Sequence, residues 1–352
     1  MKILINALSG IGDALMFTPA LSILKKELPN SKIDALVMFK GVKDLYESLD
    51  EIDDIFYHDM INSSKISNLN YLFKLRKNNY DISINVYPSN RIEYNMVNLL
   101  IGAPKRSGVK YIRRDKLNLG FLNNYRVKEN DDLHCVEENI KQIEKLLNIK
   151  IDKIPSLNFP ISEEDQYFAD QYLENTEIDT DDLVIGIHAG CSVLKNHINR
   201  RWTPDKFAEL INGLIEKKNA KVLLFGGPDE NELKADIVSQ VGSTQLINVE
   251  TKNLRETAAV IKRSDIFVTN DSGLMHIAAA LDRKIVPIIG PTNENFIHPW
   301  RTEYKTASLN LECAPCFYYS PKPLTCSRRD VKFKCLKELS VEQVFNLVAE
   351  MT

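Results

Sequence analysis

The sequence predicts an α/β protein built as two doubly wound domains in series, each a parallel sheet flanked by helices. Three observations carry that reading. Short β-branched runs alternate with helix-forming stretches along the chain. The alternation restarts after a polar interval at 175–182. Two strand-to-helix junctions, one toward each end, carry Gly, Asp and Ser where a helix begins. The 352 residues are enough for two domains of ordinary size with a large core.

In the first half, strands are predicted at 2–6, 33–38, 53–57 and 81–86, with helical stretches such as 19–28 and 91–102 between them. Lys2-Ile3-Leu4-Ile5-Asn6 feeds the loop Ala7-Leu8-Ser9-Gly10-Ile11-Gly12-Asp13, where two glycines permit a tight turn. Thr18-Pro19 interrupts the pattern about two turns on, so the helix restarts or bends there. Tyr87-Pro88-Ser89-Asn90-Arg91 is a second loop at the carboxyl end of a strand. Residues 103–131 read as basic and irregular, and 132–147 as an amphipathic helix beginning near His134. Pro155 and Pro160 bracket a crossover, giving a first domain of 1–160.

The second domain, 161–338, repeats the pattern. Its strands run from Leu183 to His188, Lys221 to Phe225, Gln245 to Asn248, Ile266 to Thr269 and Ile285 to Ile289. The closing segment 339–352 opens on a capping signal at Ser340 and keeps helical periodicity.

Composition narrows the function classes. Hydrophobic content of 44% and charged content of 26% are globular values. A net charge of −3 gives no bulk attraction to nucleic acid, and none is expected as a partner. No apolar run approaches the ~20 residues that span a bilayer. The chain opens on a strand with one Lys rather than a secretory signal, so the expected location is the cytoplasm.

The richest segment is Asn270-Asp271-Ser272-Gly273-Leu274-Met275-His276, between a β-branched run and an Ala-rich helix former. Asn, Asp and Ser can cap the helix, and Gly273 lets a ligand approach the backbone. Free N–H groups at such a helix start suit a phosphate or diphosphate. An ordinary capped helix is the alternative. A dinucleotide site at the other junction is weaker, because Gly10-x-Gly12 is followed by Leu15 where a third glycine belongs. Asp34 has the spacing of a ribose acid, yet Ala35-Leu36-Val37 continue the strand beyond it.

Gly10-Ile11-Gly12-Asp13 with Thr18-Pro19, Gly226-Gly227-Pro228, Asn270-Asp271-Ser272-Gly273 with His276, and Gly290-Pro291-Thr292 together resemble glycosyltransferase family nine, the lipopolysaccharide heptosyltransferases and their relatives. The match runs in order along nearly the whole chain. Leu274 departs from it, where the family often has Pro. The resemblance implies the GT-B fold: two facing Rossmann-like domains with a cleft between them, and a terminal helix over 339–352 that returns to the first domain.

It also implies inverting, metal-independent transfer of a sugar from a nucleotide donor to an acceptor hydroxyl. Asp13 is then the base that takes the acceptor proton, with Gly12 and Thr18 in the acceptor-side loop. The alternative for Asp13 is complementing the dipole of its helix. The diphosphate falls to Asp271, Ser272, Gly273 and His276, with Ser192 and Arg200 from the loop that opens at His188 and passes Lys195. Arg201 reads equally as a phosphate contact or a solvated face. Trp202 reads as a core anchor. Glu232, with Glu230 close behind, is the candidate for holding ribose or base, against a role in helix-dipole complementation.

No cofactor is expected beyond the nucleotide-sugar co-substrate, with ADP-heptose the favoured donor. The expected acceptor is a lipid-linked lipopolysaccharide-type or other surface glycan at the inner face of the cytoplasmic membrane. Basic residues Lys105, Arg106, Lys110, Arg113, Arg114, Lys116 and Arg126 read either as a contact for an anionic acceptor or membrane surface, or as a solvated loop. Cys313-x-x-Cys316, Cys326 and Cys335 have a spacing compatible with structural zinc, although the second pair is not C-x-x-C; reduced thiols are the preferred reading. Two other classes stay open: a nucleotide-sugar epimerase or hydrolase of the same fold, and a non-catalytic glycan-binding or assembly protein.

Overall fold

The computed structural model describes residues 1–192, 194–318 and 323–352, and the Lys195 side chain lies outside that description. The chain divides into two compact units, the first Met1–Pro160 and the second beginning at Ile161 and running to Thr352.

Six strands form the first sheet: β1 (Lys2–Ala7), β2 (Lys32–Val37), β3 (Asp54–Tyr57), β4 (Ile82–Asn85), β5 (Lys105–Lys110) and β6 (Tyr125–Lys128). Their order is β3-β2-β1-β4-β5-β6 and every pairing is parallel. Ile3 lies opposite both Ile33 and Ile82. Because helices cover both faces, β1 and β2 are buried along nearly their whole length, which is why they read as continuous apolar runs. Leu4, Leu8, Leu36, Leu75 and Val97 share one core cluster. Burying each such side chain contributes about 1.5–3 kcal/mol.

The reading of 103–131 as irregular is corrected, because β5 and β6 lie within it. Their sequences hide the period. Ser107 and Gly108 of β5 face inward, and polar partners satisfy what a hydrophobic strand would not need: Ser107 donates to Gln142 Oε1 at 3.0 Å, and its carbonyl accepts from Asn98 Nδ2 at 3.1 Å.

The second sheet holds β7 (Val184–His188), β8 (Lys221–Phe225), β9 (Leu246–Asn248), β10 (Ile266–Asn270) and β11 (Lys284–Ile288), in the order β11-β10-β7-β8-β9, all parallel. Extended residues after β11 cover its open edge, with bridges from Tyr304 to Ile285 and Ala307 to Ile288.

The terminal helix Val341–Ala349 packs within this second unit. Its stripe Val344, Val348 and Met351 is buried in the same cluster as Trp202, Phe207 and Leu214. Trp202 Nε1 and Lys206 Nζ both donate to the Leu339 carbonyl, at 3.1 and 2.8 Å, which fixes the chain where that helix starts. Trp202 is accordingly buried as a core residue.

Each sheet reverses its strand order once, between β1 and β4 in the first and between β7 and β10 in the second. In doubly wound sheets ligands bind outside the carboxyl ends of strands at such a point.

Candidate functional site

In the second unit, β7 ends at His188 and β10 at Asn270, side by side at the reversal point. Asn270 is framework. Its side chain accepts from Trp202 N at 2.9 Å and donates to Ala189 O at 2.7 Å, locking the two loops together.

Asp271 and Ser272 then lead into the helix Gly273–Ala280. Ser272 occupies the N-cap position but makes no capping bond, so the expected side-chain cap is absent. Its hydroxyl lies instead 3.0 Å from His188 Nδ1 and 3.1 Å from Thr269 Oγ1. The first-turn N–H groups thus gain nothing from Ser272, and a helix start in that state suits an anion.

Arg200 and Asp271 form a buried ion pair, Nη1 to Oδ2 at 2.5 Å, and Thr292 donates to the same oxygen at 2.7 Å. Burial pushes the Asp271 carboxyl up, but the Arg200 guanidinium and the Thr292 hydroxyl together hold it below the usual aspartate range. Arg200 also lies over the Phe317 ring, 5.7 Å from its centroid.

His276, in the first turn of that helix, is 3% exposed, and its Nδ1 has no hydrogen-bond partner. Burial drives the imidazole down to about 4, so the ring is neutral at physiological pH. A buried ring nitrogen without a partner is costly in an empty site and useful beside a ligand oxygen.

The loop after β8 supplies a carboxylate, and it is Glu230 rather than Glu232. Glu230 Oε2 lies 3.0 Å from His188 Nε2 and accepts from Gly227 N at 3.1 Å, while Oε1 accepts from Arg201 Nη2 at 3.3 Å. Glu232 is exposed on the first turn of the helix Asn231–Val241. The helical phase explains the difference, since residues two apart on a helix face different directions. Burial raises the Glu230 carboxyl, but His188, the Gly227 N–H and Arg201 outweigh it and hold the group below the usual range.

Arg201 is also committed to Cys191 O at 2.6 Å, so it is an integral part of this cluster and not a solvated face. Ser192 is exposed on the loop after β7. His188 and Thr292 were not singled out by sequence reasoning. The available signal for His188 was a histidine closing a buried strand immediately before Ala189-Gly190.

In the first unit, Asp13 sits half-buried in the short helix Ile11–Leu15, on the loop after β1. Ser9 Oγ donates to Pro88 O at 2.9 Å and so ties this loop to the one after β4 across the reversal point. Burial and then the Asp13 charge raise the Tyr46 phenol; burial, opposed by Arg91 and aided by Asp13, raises that of Tyr94 to about 12. A Cβ on Gly10 would meet no atom within 4 Å, so the backbone there is open to approach. Gly12 is half-buried beside Asp13.

Thr18 lies inside the fold rather than on the open loop. It is 1% exposed, donates to Leu15 O at 2.8 Å and accepts from Asn158 N at 2.9 Å. The helix Thr18–Glu27 restarts at this residue, which puts it inside the fold.

The cysteines are all reduced, with Cys313 and Cys316 exposed and Cys326 and Cys335 half-buried. Burial, then the neighbouring thiols, raise Cys335 to about 11. Among the described residues no three His, Cys, Asp or Glu side chains are arranged to hold a metal ion. Arg328 Nη1 donates to Cys313 Sγ at 3.5 Å.

Two doubly wound units in one chain, the second with an anion-ready helix start at its reversal point, are the architecture of the GT-B fold. The chain belongs to glycosyltransferase family 9: the family model described as "Glycosyltransferase family 9 (heptosyltransferase)" matches residues 71–325. The lipooligosaccharide heptosyltransferase 2 of Campylobacter jejuni serotype O:6 is 26% identical over 363 residues, spanning 100% of this chain and 99% of that protein. The solved ADP-heptose lps heptosyltransferase II of E. coli superposes with a TM-score of 0.74 at 21% identity, covering 100% of this chain and 98% of that one. A family 9 glycosyl transferase from Veillonella parvula gives a TM-score of 0.75 at 21% identity, over 99% and 96% of the two chains. At those identities the structural likeness establishes the fold.

Proposed function

We propose that this family 9 enzyme transfers heptose from ADP-heptose to a hydroxyl of a lipid-linked, lipopolysaccharide-type glycan at the inner face of the cytoplasmic membrane, with inversion and without a metal. The observation that carries the donor half is the helix start at Gly273: an N-cap that makes no capping bond, a guanidinium at Asp271 and a neutral His276 whose Nδ1 lacks a partner. Those groups suit a diphosphate leaving group, whose developing charge they meet with fixed dipoles and a cation. Arg200 and Ser192 complete the phosphate contacts on this reading. Glu230, on the loop after β8 and so two strands from β10 in the order β10-β7-β8, holds the ribose hydroxyls.

Asp13 takes the proton of the acceptor hydroxyl as the carbon–oxygen bond forms and the nucleoside diphosphate departs. The choice of ADP and of heptose is supported by the names of the relatives, several of which are heptosyltransferases acting on lipopolysaccharide or lipooligosaccharide.

A thermal-shift screen across ADP-, UDP- and GDP-sugars tests the donor. Selective stabilisation by ADP-sugars is expected, about 2.7 kcal/mol at a hundredfold excess over Kd. Equal response to all three, or to none, sinks the reading. Consumption of the donor without any acceptor would point instead to epimerisation or hydrolysis.

A further inference from the structure

We propose that the outer face of the helix Lys65–Arg76 in the first unit docks on an anionic lipid surface. Ile66, Leu69 and Phe73 are 72%, 43% and 50% exposed, and they recur at the i, i+3, i+7 spacing of a single stripe. Ile61, in the loop before the helix, is 57% exposed as well. Leu72 and Leu75 are buried in the core cluster with Leu4, Leu36 and Val97, so the orientation of the helix is fixed by its core contacts. One exposed Leu means nothing; an aligned row of large apolar side chains does.

Charge identifies the occupant. At 3.6 residues per turn, Lys65 flanks the stripe on one side, beside Arg76, which also donates to the Leu100 carbonyl at 3.4 Å, and Lys74 flanks it on the other, with Lys77 in line beyond Phe73. No Asp or Glu occurs from Met60 to Tyr80, in a chain whose net charge is −3. Cations framing an apolar row fit the headgroup boundary of a bilayer, where apolar side chains enter the acyl region and ammonium groups meet phosphates. A two-fold contact with a second copy would instead set the same four cations against one another.

The basic stretch 105–126 is less suited. Arg113 is held by Asp131 through two bonds of 2.8 and 2.5 Å, Arg126 by Asp115 at 2.9 Å, and Arg106 by the Leu122 and Ala103 carbonyls. Among the described residues no helix is long and apolar enough to cross a membrane, which leaves attachment along the surface for this helix. The inference rests on the proposed lipid-linked acceptor for its purpose, and on the residues of the helix for its geometry.

The full chain is sedimented with vesicles of phosphatidylcholine alone and of phosphatidylcholine with phosphatidylglycerol, at low and high salt and without nucleotide. Binding to the anionic vesicles only, weakened by salt, is expected. Lys74→Ala and Lys77→Ala should each weaken it about fivefold. Ile66→Ser with Phe73→Ser should abolish the part that survives salt, with an unchanged melting temperature because both side chains are exposed. Absent or equal binding to the two vesicle types overturns the proposal, as does indifference to these variants. A self-association lost in the Ile66→Ser, Phe73→Ser variant, without vesicle binding, would assign the stripe to a second copy. Donor stabilisation is measured separately, so either reading can fail alone.

Discussion

Arg200 Nη1 donates to Asp271 Oδ2 across 2.5 Å, with both side chains less than a tenth exposed, and so binds the segment before Trp202 to the residue that leads into the helix Gly273–Ala280. A pair this buried is stable only as a pair. Arg200→Ala should therefore destabilise the protein by about 3–5 kcal/mol, because it strands the Asp271 charge. The double variant Arg200→Ala, Asp271→Ala should lose less than Arg200→Ala alone. Urea unfolding of Arg200→Ala, Asp271→Ala and the double variant decides this, and additive losses would show that the two groups are not coupled.

Asp271 also gives stability a dependence on pH. Its folded carboxyl titrates below the usual aspartate range, so the unfolded chain binds the proton more readily. The contribution is complete above the unfolded value near 4 and is lost as pH falls below that toward the folded value. His276 acts in a different window. Its folded imidazole is at about 4 against an ordinary 6.5, so stability falls as pH drops from 6.5 to about 4. His276→Gln should flatten that upper limb and leave the lower one, as read by melting temperature against pH. An imidazole resonance that titrates near 6.5 would contradict the burial argument.

Asp13→Asn is expected to reduce turnover by about 100- to 10,000-fold, the usual contribution of a positioned general base. Donor affinity should change little, since Asp13 belongs to the first unit and the phosphate groups to the second. Single-turnover kinetics together with calorimetric titration of the nucleotide separate the two effects. A matching loss in both would recast Asp13 as a structural carboxylate.

The two sheets were legible because β1, β2, β7, β8 and β10 are buried on both faces and carry β-branched runs that periodicity detects. β5 and β6 escaped for the opposite reason: Lys105-Arg106-Ser107-Gly108-Val109-Lys110 has no apolar alternation, and hydrogen bonds such as Ser107 to Gln142 stand in for apolar contact. At the site, the helix start at 271–276 could be read because Asp, Ser and Gly bunch where a strand ends. Glu230 and Glu232 could not be separated, because both are acidic residues near a helix start and only the turn geometry decides which one meets His188. The burial of Thr18 was equally hidden: Asp13 lies on the open loop, but the second helix carries Thr18 into the core. The terminal helix was assigned by analogy to the fold; Trp202 and Lys206 hold its start within the second unit.

Gly190 offers a test of the nucleoside contact that leaves the acid itself in place. An ideal Cβ at this position would lie 1.7 Å from Glu230 Oε1, so Gly190→Ala must displace the carboxylate. The atoms in the way belong to the end of a flexible side chain, and the substitution should cost little stability. Once displaced, Glu230 loses His188 Nε2 and Arg201 Nη2, the two contacts that aim it. If Glu230 holds the ribose, Gly190→Ala and Glu230→Ala should weaken ADP binding to a similar extent, and the double variant should be no worse than either, the signature of two changes acting through one contact. Glu232→Ala should bind ADP as the parent does, since that side chain points to solvent. Calorimetric titration of ADP into the four proteins reads this directly. Additive losses in the double variant would mean that Gly190 meets the nucleotide itself, and a loss in Glu232→Ala would return the ribose contact to that residue.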